Sequence, residues 1–379
     1  MMSPREISSK TRGLPGSTPP PAPSLPPCSH PPTLAEGWGA SMGGREKSEP
    51  RGLVEAYRAA LLLRLLTGWG YIRVCKALKK LGYEISTGTV SDWFYRNRKP
   101  RFTPSSFERA LFYHKAYKLA LETKKQHPEW GHVRIATYIS KQLPIRIPAI
   151  TVYYWITGRS RPNITPVKPC LALGYLVGVL VGDYIRAGGG LCVKDKEFIE
   201  YYVKKYEEVT GIRLNIHPKE DKWCTHESGS WLRELWYSGL WRVVAYAYPI
   251  EFLKGLYDSE GSIKPKINWK KNRLYDVEVS LAVSDMRIKE YVKPLLEKYG
   301  FHVSEYFPGE YGCLYFSGWE ALKRFAKLIG FREGKRRRRL ELLLKIRSLP
   351  QRKRLEEWTK HYIKVKGRWV ERAPNPRAR

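Results

Sequence analysis

Amides are nearly missing from this chain, which has three Gln and six Asn in 379 residues. With 27% of positions charged, that scarcity fits a heat-adapted source, since Asn and Gln are thermolabile and ion pairs take over their polar work. Acids are short as well: 36 Asp and Glu face 68 Lys and Arg, a formal net charge of +32 and a pI near 9.9. An excess so large and so widespread excludes a single solvated face and implies a polyanionic partner. Cysteines are few and scattered, at Cys28, Cys75, Cys170, Cys192, Cys224 and Cys313, without a CxxC pair. Their spacing excludes a disulfide scaffold and points to a reducing, intracellular setting, cytoplasmic and nucleoid-associated. His217, Cys224 and His226 lie close together but lack a fourth ligand, so zinc is not expected. The central apolar run, Cys170 to Gly182, has 13 residues, and a membrane helix needs about 20. No membrane partner is expected.

Aromatic residues are plentiful, at 13%, so most of the chain folds. Positive charge on a folded chain favours nucleic acid, held largely through phosphates and therefore sensitive to salt. Residues 1–50 are the exception. Rich in Pro, Ser and Gly, they offer too little apolar surface to offset the entropy of ordering, and we expect disorder there. They also lack the continuous apolar core of a signal peptide. Translation from Met42 would remove most of the segment.

Residues 51–166 carry a repeat. Trp69-Gly70-Tyr71-Ile72-Arg73-Val74 returns as Trp130-Gly131-His132-Val133-Arg134-Ile135, and Val90-Ser91-Asp92-Trp93 as Val152-Tyr153-Tyr154-Trp155. Each copy (51–104 and 105–166) reads as a long helix, a shorter one, a turn and a last short helix with a basic exit. Tandem helix-turn-helix units have this form, the last helix entering a major groove. Arg96, Arg98, Lys99, Arg159 and Arg161 would then lie at phosphates. A plain helical adaptor with solvated arginines is the alternative.

Two apolar stretches organise the rest. Leu173 to Asp183 holds Gly174, Gly178 and Gly182 at every fourth place, and Phe252 to Gly261 repeats the pattern with Gly255 and Ser259. On a helix these small residues form one stripe. Glycine inside a helix costs about 1 kcal/mol relative to alanine, so something must be gained from close helix–helix approach. Both stretches end in an acid, Asp183 or Glu260, where the last carbonyls already carry partial negative charge. Two acids meeting at two negative helix ends call for a cation. Oxygen ligands with open positions suit Mg²⁺ shared with a substrate phosphate.

These stretches resemble the motif of the LAGLIDADG homing endonucleases. Leu253-Lys254-Gly255-Leu256-Tyr257-Asp258-Ser259-Glu260-Gly261 puts Glu260 at the family's catalytic acid position. Leu176-Val177-Gly178-Val179-Leu180-Val181-Gly182-Asp183-Tyr184 puts Asp183 there, departing from the motif at Val181, where it has its first Asp, and at Tyr184, where it has Gly. The resemblance covers roughly 171–348. It implies site-specific cutting of both strands of a long DNA target by a monomer. Asp183 and Glu260 would hold Mg²⁺, with Mn²⁺ as substitute and no small-molecule cofactor. A nearby lysine should assist, Lys194 or Lys264.

Spacing supports a duplication independently. Val193-Lys194-Asp195 corresponds to Val283-Ser284-Asp285, each opening an amphipathic helix (195–210 and 285–299) closed by Gly211 or Gly300. Equal intervals lead on to Gly229 and Gly318. The expected fold is α+β: two αββαββα units, 167–249 and 250–348, related by a pseudo-twofold behind the all-α region. The first hairpin of the first unit is 13 residues shorter than its counterpart, with Gly188-Gly189-Gly190 at its tip. In the second unit Ser262, Lys264, Lys266, Asn268 and Lys270 alternate with apolar residues, as do Asp276, Glu278 and Ser280, giving a sheet one polar face that can meet phosphates and base edges. Lys335 to Arg339 opens a last helix, and 349–379 reads as a basic tail making generic polyanion contacts.

Begun with Met and ended without His-Asn, the chain lacks the splicing ends of an intein and reads as free-standing or intron-encoded. Two rivals remain. One is a non-cleaving regulator or RNA maturase on the same fold. The other is an integrase or transposase, for which a third acid in a ribonuclease-H-like strand pattern is not found.

Overall fold

The computed structural model describes residues 52–372 except Asn97, Arg101, 186–188, 228–229 and Glu310. Segment 1–50, the Met42 start, Gly188 and Gly229 lie outside the described residues.

The chain opens with two three-helix units. Helices α1 (Leu53–Thr67), α2 (Tyr71–Lys80) and α3 (Thr87–Tyr95) form the first, and α4 (Ser106–Gln126), α5 (His132–Gln142) and α6 (Ala149–Ile156) the second. The repeated Trp-Gly pair explains the match: Gly70 and Gly131 are the N-caps of α2 and α5. Ser86 caps α3 by accepting from the Thr89 amide, and Ser105 with Glu108 forms a capping box at α4. The units differ in what they bury. The first shares the main core through residues such as Tyr57, Leu63 and Trp93, whereas the second encloses a core of its own around Ile135, Ile139, Val152 and Trp155. Arg58 of α1 ties the region together, reaching Glu108 of α4 at 2.6 Å and Glu234 at 3.2 Å.

Next comes repeat 1: α7 (Leu171–Val181), β1 (Gly190–Val193), α8 (Lys196–Thr210), β2 (His217–Lys219), β3 (Lys222–His226), α9 (Trp231–Tyr237) and α10 (Trp241–Ala247). Repeat 2 follows with α11 (Pro249–Glu260), β4 (Gly261–Asn268), β5 (Arg273–Val283), α12 (Met286–Lys298), β6 (Ser304–Tyr306), β7 (Gly312–Ser317), α13 (Trp319–Leu328) and α14 (Gly334–Arg347). The sheets run β1-β3-β2 and β4-β5-β7-β6, both antiparallel. Aspartates at matching places start the amphipathic helices, since Asp195 and Asp285 accept from backbone amides in the first turns of α8 and α12.

Three sequence expectations need correction. The αββαββα pattern holds in repeat 2 but not in repeat 1, whose described residues contain one strand where β4 and β5 stand. Among the described residues β1 is the counterpart of β5, and no strand stands in the place of β4. Residues 351–371 are not a mere tail: they form α15 (Gln351–His361), β8 (Tyr362–Val365) and β9 (Arg368–Glu371), anchored by fully buried Trp358. The cysteines are not all free, because Cys192 and Cys224 face each other on β1 and β3 and are joined as a disulfide. That bond removes Cys224 from any zinc set, and His217 simply stacks on His226 with ring centroids 5.2 Å apart. Among the described residues no helix is long and apolar enough to cross a membrane.

Candidate active site

The site begins with the packing of α7 against α11. A Cβ built on Gly178 would lie 2.2 Å from the Phe252 carbonyl oxygen, and one on Gly255 2.1 Å from that of Tyr175. Gly174 meets Tyr248 and Glu251 in the same way, and Gly182 meets Ser259 and Glu260. No side chain other than hydrogen fits Gly178 or Gly255 while the helices stay where they are. Ser259 completes the stripe, buried, its hydroxyl bonded back to the Gly255 carbonyl at 3.2 Å. The helices therefore touch backbone to backbone, and their C-terminal ends emerge side by side.

Glu260 is the last residue of α11, and Asp183 stands two residues beyond α7. Their carboxyls sense each other. Asp183 opens to solvent on one side but is crowded on the others; that crowding first, and the neighbouring Glu260 second, push its carboxyl up to about 6, against the pull of Arg336. The motif's other acid, Asp258, is buried and structural. It accepts from the Arg332 amide at 2.7 Å and the Tyr175 hydroxyl at 2.9 Å, so it bolts α11 to both α7 and the segment before α14. Burial raises its pKa.

Arg336 is the residue that sequence reasoning missed. Its guanidinium donates to the carbonyls of Tyr257 and Asp258 at the end of α11, and its charge acts on Asp183. In the sequence it disappears into the run from Lys335 to Arg339. Helical spacing was the available signal, because Arg336 lies one turn before buried Leu340 on the inward face.

The expected helper lysines are engaged elsewhere. Lys194 is exposed and paired with Asp221 at the β2–β3 turn, and Lys264 pairs with Glu278 at 2.8 Å. Ser262, Lys264 and Lys266 lie on the outer face of β4 opposite Ser280, Glu278 and Asp276 of β5. Lys266 also donates to Ser317 on β7 at 2.7 Å. Asn268 and Lys270 are exposed at the hairpin end. Arg96, Arg98, Arg159 and Arg161 are exposed and Lys99 half-buried, after α3 and α6. Arg96 and Arg98 both approach Asp92, at 3.3 and 3.4 Å.

Among the described residues no group of three or more His, Cys, Asp or Glu is arranged to hold a metal. The pair Asp183 and Glu260 still fits Mg²⁺, which is commonly held by one or two carboxylates with water and phosphate completing the shell. Two like charges forced together beside helix C-termini favour such a cation.

Residues 247–330, which span α11 to α13, match the LAGLIDADG-like domain family. Two curated proteins of Methanocaldococcus jannaschii are similar: MJ0398, 26% identical over 195 residues (46% of this chain, 66% of that one), and MJ0314, 29% identical over 160 residues (37% and 59%); both are named as uncharacterized. The matches thus span less than two thirds of either relative. Among solved structures, the homing endonuclease I-DmoI in complex with DNA and Mn aligns at TM-score 0.33 and 15% identity, over 42% of this chain and 96% of that one. I-DmoI with DNA and Ca aligns at TM-score 0.32 and 15% identity, covering 45% and 97%.

Proposed function

We propose that this chain is a site-specific DNA endonuclease that cuts both strands of a long target in a Mg²⁺-dependent way, working as a monomer. The observation that carries the reading is the convergence of Asp183 and Glu260 at backbone-packed helix ends, Glu260 lying within the segment that matches the LAGLIDADG-like domain and Asp183 before it. Two acids on one shared axis suit two phosphodiesters, one on each strand.

When bound, Mg²⁺ supplies Lewis-acid stabilisation of phosphate charge and a more acidic water. Asp183 and Glu260 would hold it, and both must be deprotonated to do so. Arg336 keeps Asp183 charged and fixes the last turn of α11, which sets where Glu260 points. The outer face of β4 and β5 contributes Ser262, Lys264, Lys266, Asn268, Lys270, Glu278 and Ser280 toward bases and phosphates. The helix-turn-helix reading of the two N-terminal units extends the footprint through Arg96, Arg98, Lys99, Arg159 and Arg161.

A second reading, a non-cleaving DNA-binding regulator or RNA maturase, draws on Arg336: a protein cation already sits at these helix ends. The test incubates the protein with DNA spanning its insertion site, with Mg²⁺, with Mn²⁺ and with EDTA. We expect double-strand cutting that EDTA abolishes and that falls by several kcal/mol of barrier, about a thousandfold, in Asp183→Asn and in Glu260→Gln. Tight binding without cutting in either metal would establish the second reading.

A further inference from the structure

Between the two N-terminal helical units lies a cleft of about 1090 Å³, bounded by the α3–α4 connection, the first half of α4, one face of α5 and the α5–α6 connection. Among the described residues its lining includes four cations, Lys99, Arg109, Lys141 and Arg146, and no acid. Among the described residues none of the four takes part in an ion pair, although salt bridges are frequent elsewhere on the surface. Lys99 is half-buried, and burial lowers its pKa, which is the mark of a cation without a nearby counter-charge. Two aromatic rings, Phe102 and Tyr113, line the same cleft and are only half-buried.

We propose that this cleft binds an unpaired strand of nucleic acid, its phosphates along Lys99, Arg109, Lys141 and Arg146 and its bases against Phe102 and Tyr113. A positive groove with aromatic faces is the general means of holding single strands without reading their sequence. Size excludes the duplex. A cleft of this volume encloses a ligand of drug size or slightly more, the bulk of a few linked nucleotides. The site is separate from the paired acids and from the outer face of β4 and β5, and shares only Lys99 with the duplex footprint proposed above.

The test is fluorescence anisotropy on the full chain in EDTA, with short oligothymidylate, oligouridylate and a duplex of the same length over a range of salt. The double variant Lys141→Ala/Arg146→Ala removes two exposed cations, and an unchanged melting curve certifies its fold. We expect it to bind one or both unpaired strands at least about tenfold more weakly, with a log–log salt slope shallower by about 1.4, or 0.7 for each lost phosphate contact. Duplex affinity should change less than about twofold. Whichever oligonucleotide binds more tightly identifies the strand as DNA or RNA, and Arg109→Ala should shift the same one. Unchanged oligonucleotide affinity, or equal losses on duplex and single strand, would overturn the proposal. So would inorganic polyphosphate competing as well as the oligonucleotides, because the cleft would then be a plain anion site. None of these readouts depends on cutting.

Discussion

Repeats 1 and 2 share a seam and little else. At α7 and α11 they are held to the same rule, small residues every fourth position, because a methyl group on either side strikes the opposite backbone. Away from the seam they diverge. Repeat 2 keeps the four-stranded sheet and the buried Asp258, tied by Tyr175 and Arg332. Repeat 1 has a three-stranded sheet among the described residues, Val181 where repeat 2 has Asp258, and Tyr184 where it has Gly261. Tyr184 is buried and donates to Glu227, which also accepts from Tyr202. Repeat 1 adds the Cys192–Cys224 bond, which has no counterpart in repeat 2. The contrast shows which parts the packing constrains. The seam of small residues is kept in both repeats, whereas the sheets differ in strand number among the described residues.

The sharpest way to break the shared seam is Gly178→Val. Its side chain collides with backbone, which cannot swing aside, and we expect a loss of about 4 kcal/mol or more, seen as little or no folded protein in a thermal melt. A soluble, cooperatively melting variant would show that the helices do not touch as described. Making repeat 2 resemble repeat 1 with Asp258→Val leaves the Arg332 amide and the Tyr175 hydroxyl without their acceptor in a buried place. About 3 kcal/mol should be lost in urea unfolding. Making repeat 1 resemble repeat 2 with Cys192→Ser opens a link between residues 32 apart and should cost about 3 kcal/mol under oxidising conditions. The wild type in dithiothreitol should match the variant, and a difference between them would point to something other than the bond.

The smallest effect is the pH dependence that Glu227 lends to repeat 1. Burial pushes Glu227 up to about 7 from 4.5, with Tyr202, Tyr184 and Arg233 opposing the rise. The folded chain therefore holds this proton at pH values where the unfolded chain releases it. The resulting stability is full below about 4.5 and is lost as pH rises through about 7. Between pH 5 and 8 the wild type should lose about 2 kcal/mol more than Glu227→Gln, measured by urea unfolding in EDTA. Parallel curves would mean that Glu227 titrates normally.

Patterns confined to one element were legible in the sequence. The four-residue glycine period marks the faces of α7 and α11 that meet, and alternation along Ser262 to Lys266 and Asp276 to Ser280 separates the outer from the inner face of the hairpin, until a bulge at Lys266 and Ile267 ends it. The paired intervals before Asp195 and Asp285 locate the caps of α8 and α12. What escaped depends on register between elements. Cys192 and Cys224 meet only because β1 and β3 pair where they do. Arg336 is marked only by a helical phase, within a run where every neighbour is also basic. The last segment hid behind its charge: Leu355, Trp358 and Tyr362 are buried, but the lysines and arginines around them dominate its composition.

That last segment has a mechanical consequence. Trp369 stacks on Trp269 with ring centroids 6.3 Å apart and packs edge-on against Trp358 at 5.5 Å, while Arg273 at the β4–β5 turn reaches Gln351 at 2.7 Å. The far tip of the longest hairpin is thereby splinted to the end of the chain rather than left to sway. How stiffly that hairpin tip is held is set by Trp358 and Trp369, 89 and 100 positions beyond Trp269, so damage to the final strands would loosen the tip before it cost the fold.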